Sequence, residues 1–119
     1  MTMQRPNPLL DKSYAFAVRI VLFCRSLQNQ KHEFVLTKQL LKSGTSIGAN
    51  IEEATQAQSK DDFVSKLSIS SKEAHETRFW LRLLRDTKIA DTAVVEEFLS
   101  NLQEIIRMLV ASIKTAKGR

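Results

Sequence analysis

Between Phe63 and Leu84 the chain places an apolar or small residue at Phe63, Leu67, Ser70, Ala74, Thr77, Leu81 and Leu84, alternating steps of four and three. A strand repeats every second residue, so this rhythm belongs to a helix that packs one face against other helices. It recurs at Leu40, Gly44, Ile47, Ile51 and Ala54, and at Val95, Phe98, Leu102, Ile105 and Leu109, and Phe16, Ile20, Phe23 and Leu27 keep a similar spacing. The spacing predicts four helices, over about residues 11–28, 36–56, 61–87 and 92–113. Composition agrees. Three Gly and two Pro, with both Pro6 and Pro8 in the first eight residues, are too few for the turns of a β-sandwich or barrel. Hydrophobic and charged shares of 43% and 26% exclude a wholly disordered chain.

The connectors are short, at residues 29–34, 57–60 and 88–91, which makes consecutive helices antiparallel neighbours. The expected architecture is all-α, an antiparallel up-down-up-down four-helix bundle. It forms a single domain over residues 1–119, with loose tails at 1–9 and 114–119. The 119 residues are enough for one core.

Two helices are unusual. The first is apolar almost all round. Tyr14, Val18 and Leu22 fall outside its main stripe, and Lys12, Arg19 and Ser26 hold only a narrow polar strip. A helix apolar on more than one face is buried on more than one face, which points to a subunit interface at Tyr14, Val18 and Leu22. The second carries Ser43-Gly44-Thr45-Ser46-Ile47-Gly48-Ala49 at its centre. Two interior glycines cost roughly 1 kcal/mol each relative to Ala, yet the apolar period continues through them. Small residues let a neighbouring backbone approach, and the third helix has its own small zone from Ser68 to Ala74, so the two zones are expected to pack together. Ser59 with Asp62 resembles a capping box for the third helix. Asp91-Thr92 caps the fourth, and Glu96 and Glu97 sit in its early turns, where the helix dipole favours acids.

The net charge is +5, and the excess lies entirely in the first 50 residues, where seven Lys and Arg face two acids, against eleven of each in the remainder. That asymmetry points to an acidic partner, nucleic acid (RNA or DNA) being the commonest kind, with an inert basic surface as the alternative. Lys12, Arg19, Lys38 and Lys42 are the first candidate contacts, with Lys38, Lys42 and Thr45 on one face of the second helix. Arg78, Arg82 and Arg85, interleaved with Phe79 and Trp80, form a second cluster, since arginine bonds phosphate and stacks on bases. The competing reading pairs these arginines with acids one turn away, as Arg82 and Asp86 are spaced.

Other chemistry finds little footing. A di-iron bundle needs Glu-x-x-His pairs, but Lys72, not Glu, stands three residues before His75, and the second histidine, His32, is remote. Glu73, His75 and Glu76 read as a solvated face or an ion-pair network. Cys24 alone can form neither an internal disulfide nor a cysteine zinc site, and lies on the most apolar helix as a packing residue. The glycines of 44–48 lack the lysine of a phosphate loop. No catalytic, metal-binding or cofactor residue is expected, and an enzyme is not. No apolar run approaches the ~18–20 residues of a membrane span, and Met1 to Asp11 lacks the apolar stretch of a signal peptide. A cytoplasmic protein without membrane contact is expected.

The stretch Gln39-Leu40-Leu41-Lys42-Ser43-Gly44-Thr45-Ser46-Ile47-Gly48-Ala49-Asn50-Ile51-Glu52-Glu53 resembles the signature of the bacterial four-helix bundle proteins of the 23S rRNA intervening-sequence family. Ser59 to Phe63, Ser71 to Thr77, Trp80 to Leu84 and Ser13 to Phe16 extend the resemblance over about residues 9–110. One departure is Ala54, where many members have Gly. The resemblance implies an all-α bundle assembling as a ring-like homopentamer. It also implies kinship with the accessory variability protein of diversity-generating retroelements, a basic barrel that binds its reverse transcriptase and nucleic acid. Within the motif, Gly44 and Gly48 supply the small contact. Ser46, Asn50 and Glu53 share one side of the helix and read as a polar network that fixes helix packing or the subunit interface. Two functions from different classes follow. One is an oligomeric, non-enzymatic RNA-associated accessory protein. The other is a structural adaptor for a protein partner, such as a reverse transcriptase, with no affinity for nucleic acid.

Overall fold

Helix α1 (Pro8–Lys31) begins where the sequence supplies an N-terminal cap: the Asn7 side chain accepts a hydrogen bond from the Leu10 amide at 3.1 Å, and Pro8 stands at the first helical position, where its missing N–H costs nothing. The computed structural model describes residues 7–118. The expected N-terminal tail is therefore shortened. Residues 8 and 9 are helical, Leu9 is buried, and residues 1–6 lie outside the described residues. At the other end α1 stops at His32, whose φ of 54° is left-handed.

Helix α2 (Val35–Ala54) has no side-chain bond from its N-cap residue, Phe34. Glu33 serves instead. Its carboxylate accepts from the amides of Val35, Leu36 and Thr37 at 3.2, 3.1 and 2.9 Å, and the Thr37 hydroxyl donates to the Glu33 carbonyl at 2.7 Å. Helix α3 (Lys60–Asp86) is capped by Ser59, which accepts from the Asp62 amide at 3.0 Å. The return bond of the expected box goes one residue further back, from the Gln58 amide to Asp62 at 3.4 Å. Helix α4 (Thr92–Lys117) is capped by Asp91, which accepts from the Val94 amide at 3.2 Å. It continues through Lys114 to Lys117, so most of the expected C-terminal tail is helix, and Arg119 lies outside the described residues.

The four helices form the expected antiparallel bundle, and among the described residues there is no strand. Each packs on two neighbours: α1 on α2 and α4, α3 on α2 and α4. The core holds the predicted stripes, with Phe16, Ile20, Leu40, Ile47, Leu67, Ala74, Leu81, Val95, Phe98, Leu102 and Leu109 all buried. Thr77 and Ser70 complete the stripe of α3 without apolar side chains because each finds a bond. Ser70 donates to the Ile47 carbonyl at 2.8 Å. Thr77 Oγ1 lies 2.9 Å from Ser43 Oγ and 2.8 Å from the Glu73 carbonyl. No buried side-chain nitrogen or oxygen among the described residues lacks a partner. The small zones of α2 and α3 therefore do meet, through Ile47 and Ser70, and Ser43 meets Thr77 just beyond the zone of α3. The glycines correct the expectation, because they face α1. A Cβ on Gly44 would stand 2.9 Å from Ile20 Cγ2, and one on Gly48 would stand 3.3 Å from the Ser13 carbonyl oxygen.

Candidate nucleic-acid and subunit interfaces

The seam between α1 and α4 is closed by charge and aromatic contact. Phe98 packs edge-on against Phe16 at a centroid distance of 5.8 Å and tilted against Phe23 at 4.9 Å. The Arg19 guanidinium lies over the Phe98 ring at 4.6 Å and donates to Glu97. Two turns back along α1, Lys12 pairs with Glu104 at 3.4 Å. Two of the four predicted basic contacts are thus held by acids of α4.

Arg85 is committed in the same way, to Asp86 at 2.8 Å and to Glu96 of α4 at 3.0 Å. The bond to Asp86 raises the Arg85 pKa above its ordinary value. The same bond holds the Asp86 carboxyl below the usual carboxylate range, with Arg82 and Lys88 adding to that effect. Arg78 and Arg82, seven and three residues before Arg85, share its side of α3. Arg82 is exposed and Arg78 half-buried.

Lys38 and Lys42 are different. Both are exposed on the outer face of α2, and no carboxylate of the described residues lies within 4.0 Å of either, nor of Arg78 or Arg82. Arg25 and Lys31 of α1, not singled out by motif or spacing, are also exposed and unpaired among the described residues. Their only sequence signal is the basic excess of the first 50 residues.

The motif residues of α2 act mostly within their own helix. Ser46 donates to the Lys42 carbonyl at 2.7 Å and Asn50 to the Ser46 carbonyl at 2.9 Å. In the subunit these bonds do not reach another helix, so only Glu53 serves the expected packing role, by pairing with Lys66 of α3 at 3.0 Å.

The predicted contact face of α1 is open. Tyr14 is 67% exposed, Val18 42% and Leu22 60%. Beside it a groove of about 360 Å³ runs between α1 and α2, lined by Tyr14, Ala17, Thr45, Gly48, Ala49 and Glu52. The small residues of α2 that admit the backbone of α1 also shape this groove.

Cys24 is buried, with its thiol 3.5 Å from the Thr37 carbonyl, and burial pushes its pKa up to about 12. It is unsuited to nucleophilic work. Among the described residues no three His, Cys, Asp or Glu side chains converge to hold a metal ion, and no helix is long and apolar enough to cross a membrane.

A family model described as 23S rRNA-intervening sequence protein matches residues 7–111. The fold is similar to a crystal structure of a protein of unknown function from the S23 ribosomal protein family of Bacteroides thetaiotaomicron VPI-5482. That similarity has a TM-score of 0.88 and 50% identity, over 89% of this chain and 98% of that one. No match is found among curated proteins.

Proposed function

Because the chain belongs to the 23S rRNA-intervening sequence protein family, we propose that it is a non-enzymatic, oligomeric accessory protein that holds nucleic acid, structured RNA foremost, on the outer surface of its bundle. The observation that carries this reading is the pair Lys38 and Lys42, which stand exposed on α2 with no carboxylate of the described residues in reach. An unpaired surface cation is free to neutralise a phosphate and release its counterion, which supplies sequence-independent affinity. Lys12, Arg19 and Arg85 are poorer candidates, since binding phosphate there means first giving up a carboxylate.

Assembly joins copies through the outer face of α1, five to a ring. The exposed line of Tyr14, Val18 and Leu22 supports a contact there; the number five rests on the family resemblance. Repetition around a ring multiplies the charge available to one nucleic acid.

Gel shifts at low salt with structured RNA and duplex DNA test the reading. Salt-sensitive binding in the micromolar range, weakened for every sequence by Lys38→Glu with Lys42→Glu, is the expected result. Absence of a shift would leave the adaptor reading, which the acid pairing of Lys12, Arg19 and Arg85 favours.

A further inference from the structure

The outward face of α3 carries Lys72, His75, Phe79 and Arg82 at steps of three, four and three, so the four stand in one line along the helix. Ten residues separate the ends of the line, about 15 Å of helix axis. Lys72, His75 and Arg82 are exposed, and none has a carboxylate within 4.0 Å among the described residues. Between them Phe79 is 51% exposed. Single exposed apolar residues are ordinary, but this ring lies between Lys72 and Arg82 on the line, and two acids nearby on α3 are engaged elsewhere. Glu76 accepts from Trp80 Nε1 at 3.4 Å, and Asp86 is bound to Arg85. The ring is also braced. Trp80, packed against the core, meets it edge-on with centroids 5.1 Å apart and planes at 77°.

We propose that this face of α3 is a platform for an unpaired stretch of nucleic acid, in which a base stacks on Phe79 while Lys72 and Arg82 take flanking phosphates. The proposal rests on the nucleic-acid reading above and names the form of ligand that this second surface takes. Any base offers a π-face, so stacking is tolerant of sequence. Bases inside a duplex are already stacked and cannot reach the ring. A phosphate bound by α2 needs no such opening, so the two surfaces differ in what they accept.

The test uses the full chain, a labelled 12-nucleotide oligouridine and a 12-base-pair RNA duplex, read by anisotropy. Trp80 is the sole tryptophan and stands beside the site, so its fluorescence reports the same event. Phe79→Ala is expected to weaken oligouridine binding by about 5- to 150-fold, the range for removal of one stacked base, and to leave duplex affinity within about twofold. Phe79→Tyr keeps the π-face and restores binding. Lys72→Gln with Arg82→Gln is expected to lower the single-strand log–log salt slope by about 1.4, or about 0.7 for each phosphate left without its cation. All four positions are solvent-facing, so unchanged circular dichroism is expected and separates weakened binding from unfolding. Unchanged oligouridine affinity in Phe79→Ala, in a protein that still binds the duplex, overturns the platform and leaves the function of α2 standing. Failure of the wild type to bind either probe overturns both. Binding of polyglutamate that depends on Phe79, with oligouridine ignored, overturns the platform in favour of an acidic protein partner.

Discussion

Gly48 of α2 lies against the backbone of Ser13 in α1, so close that a Cβ on Gly48 would stand 3.3 Å from the Ser13 carbonyl oxygen and 3.5 Å from its carbonyl carbon. A main-chain carbonyl inside a helix cannot swing aside as a side-chain tip can. One turn earlier, Gly44 meets Ile20, itself fully buried, with 2.9 Å available to a Cβ. Alanine is the better helix former by roughly 1 kcal/mol, so at a free helical site Gly→Ala would raise stability. Here overpacking costs about 1–3 kcal/mol and opposes that gain. Gly44→Ala is expected to leave thermal stability level or lower it, and Gly48→Leu to lower it by about 1–3 kcal/mol. A rise in melting temperature in either variant would show that the helices can separate at no cost.

The rhythm of fours and threes makes the bundle legible because it depends only on which side of each helix is apolar. It does not say which neighbour each flank meets. Ser43 and Gly44 adjoin in sequence, yet one meets Thr77 of α3 and the other Ile20 of α1. The cations show the same limit. Arg19 and Glu97 are 78 residues apart, and no local pattern connects them, whereas Arg82 and Asp86 sit one turn apart yet form no pair. Two local signals are too weak to read in isolation. Asn7-Pro8 has the residue types of a helix start, but the stripe position between Leu9 and Phe16 is a buried serine, Ser13, so no apolar period is visible before Phe16 and the segment reads as a tail. Glu33 caps α2 from two residues before its first turn, where a short polar residue at the cap itself is the usual sign.

The outer face of α1 is expected to hold subunits together. Leu22 is 60% exposed in its own subunit, so Leu22→Glu removes no buried contact within the bundle and its helix content should match the wild type. The charge it places on an apolar contact between copies is costly. Light scattering at micromolar concentration should then report an oligomer for the wild type and a smaller species for Leu22→Glu. A wild-type monomer at that concentration would contradict the assembly reading.

Substitutions at Arg19 and Lys42 should separate structural from functional cations. Removing the Arg19 side chain takes away an ion pair and its placement over Phe98. An exposed cation over an aromatic ring contributes about 0.5–1 kcal/mol, and an exposed ion pair adds at most a similar amount. Arg19→Ala is therefore expected to lower the unfolding free energy by about 1 kcal/mol and to change nucleic-acid affinity little. Lys42→Ala touches no carboxylate and should do the reverse, with stability unchanged and the salt slope lowered by about 0.7–0.9. Equal reductions of affinity in the two variants would mean that phosphate competes with Glu97 for Arg19.

Cys24 should make stability fall in alkali. Its thiol is buried against the Thr37 carbonyl, and its pKa is pushed from 9.0 to about 12, chiefly by burial and secondarily by the negative charge of Glu33. The folded-state value is the higher one, so the thiol's contribution is fully present below pH 9.0. As pH rises from there towards about 12, the unfolded chain gives up the proton while the folded chain keeps it, and the equilibrium moves towards unfolding. One proton's difference corresponds to a slope of up to about 1.4 kcal/mol per pH unit. Alkali acts on the rest of the chain as well, so the measurement is a comparison: urea melts between pH 8 and 10.5 for the wild type and for Cys24→Ala. The variant begins less stable, because it leaves a small cavity, but its decline with pH should be shallower by the thiol's share. At pH 8 a thiol reagent should leave the folded protein unmodified and react with one group per chain in denaturant. Parallel declines in the two proteins, or rapid modification of the folded chain, would show that Cys24 is reached by solvent and that the helix pair around it opens.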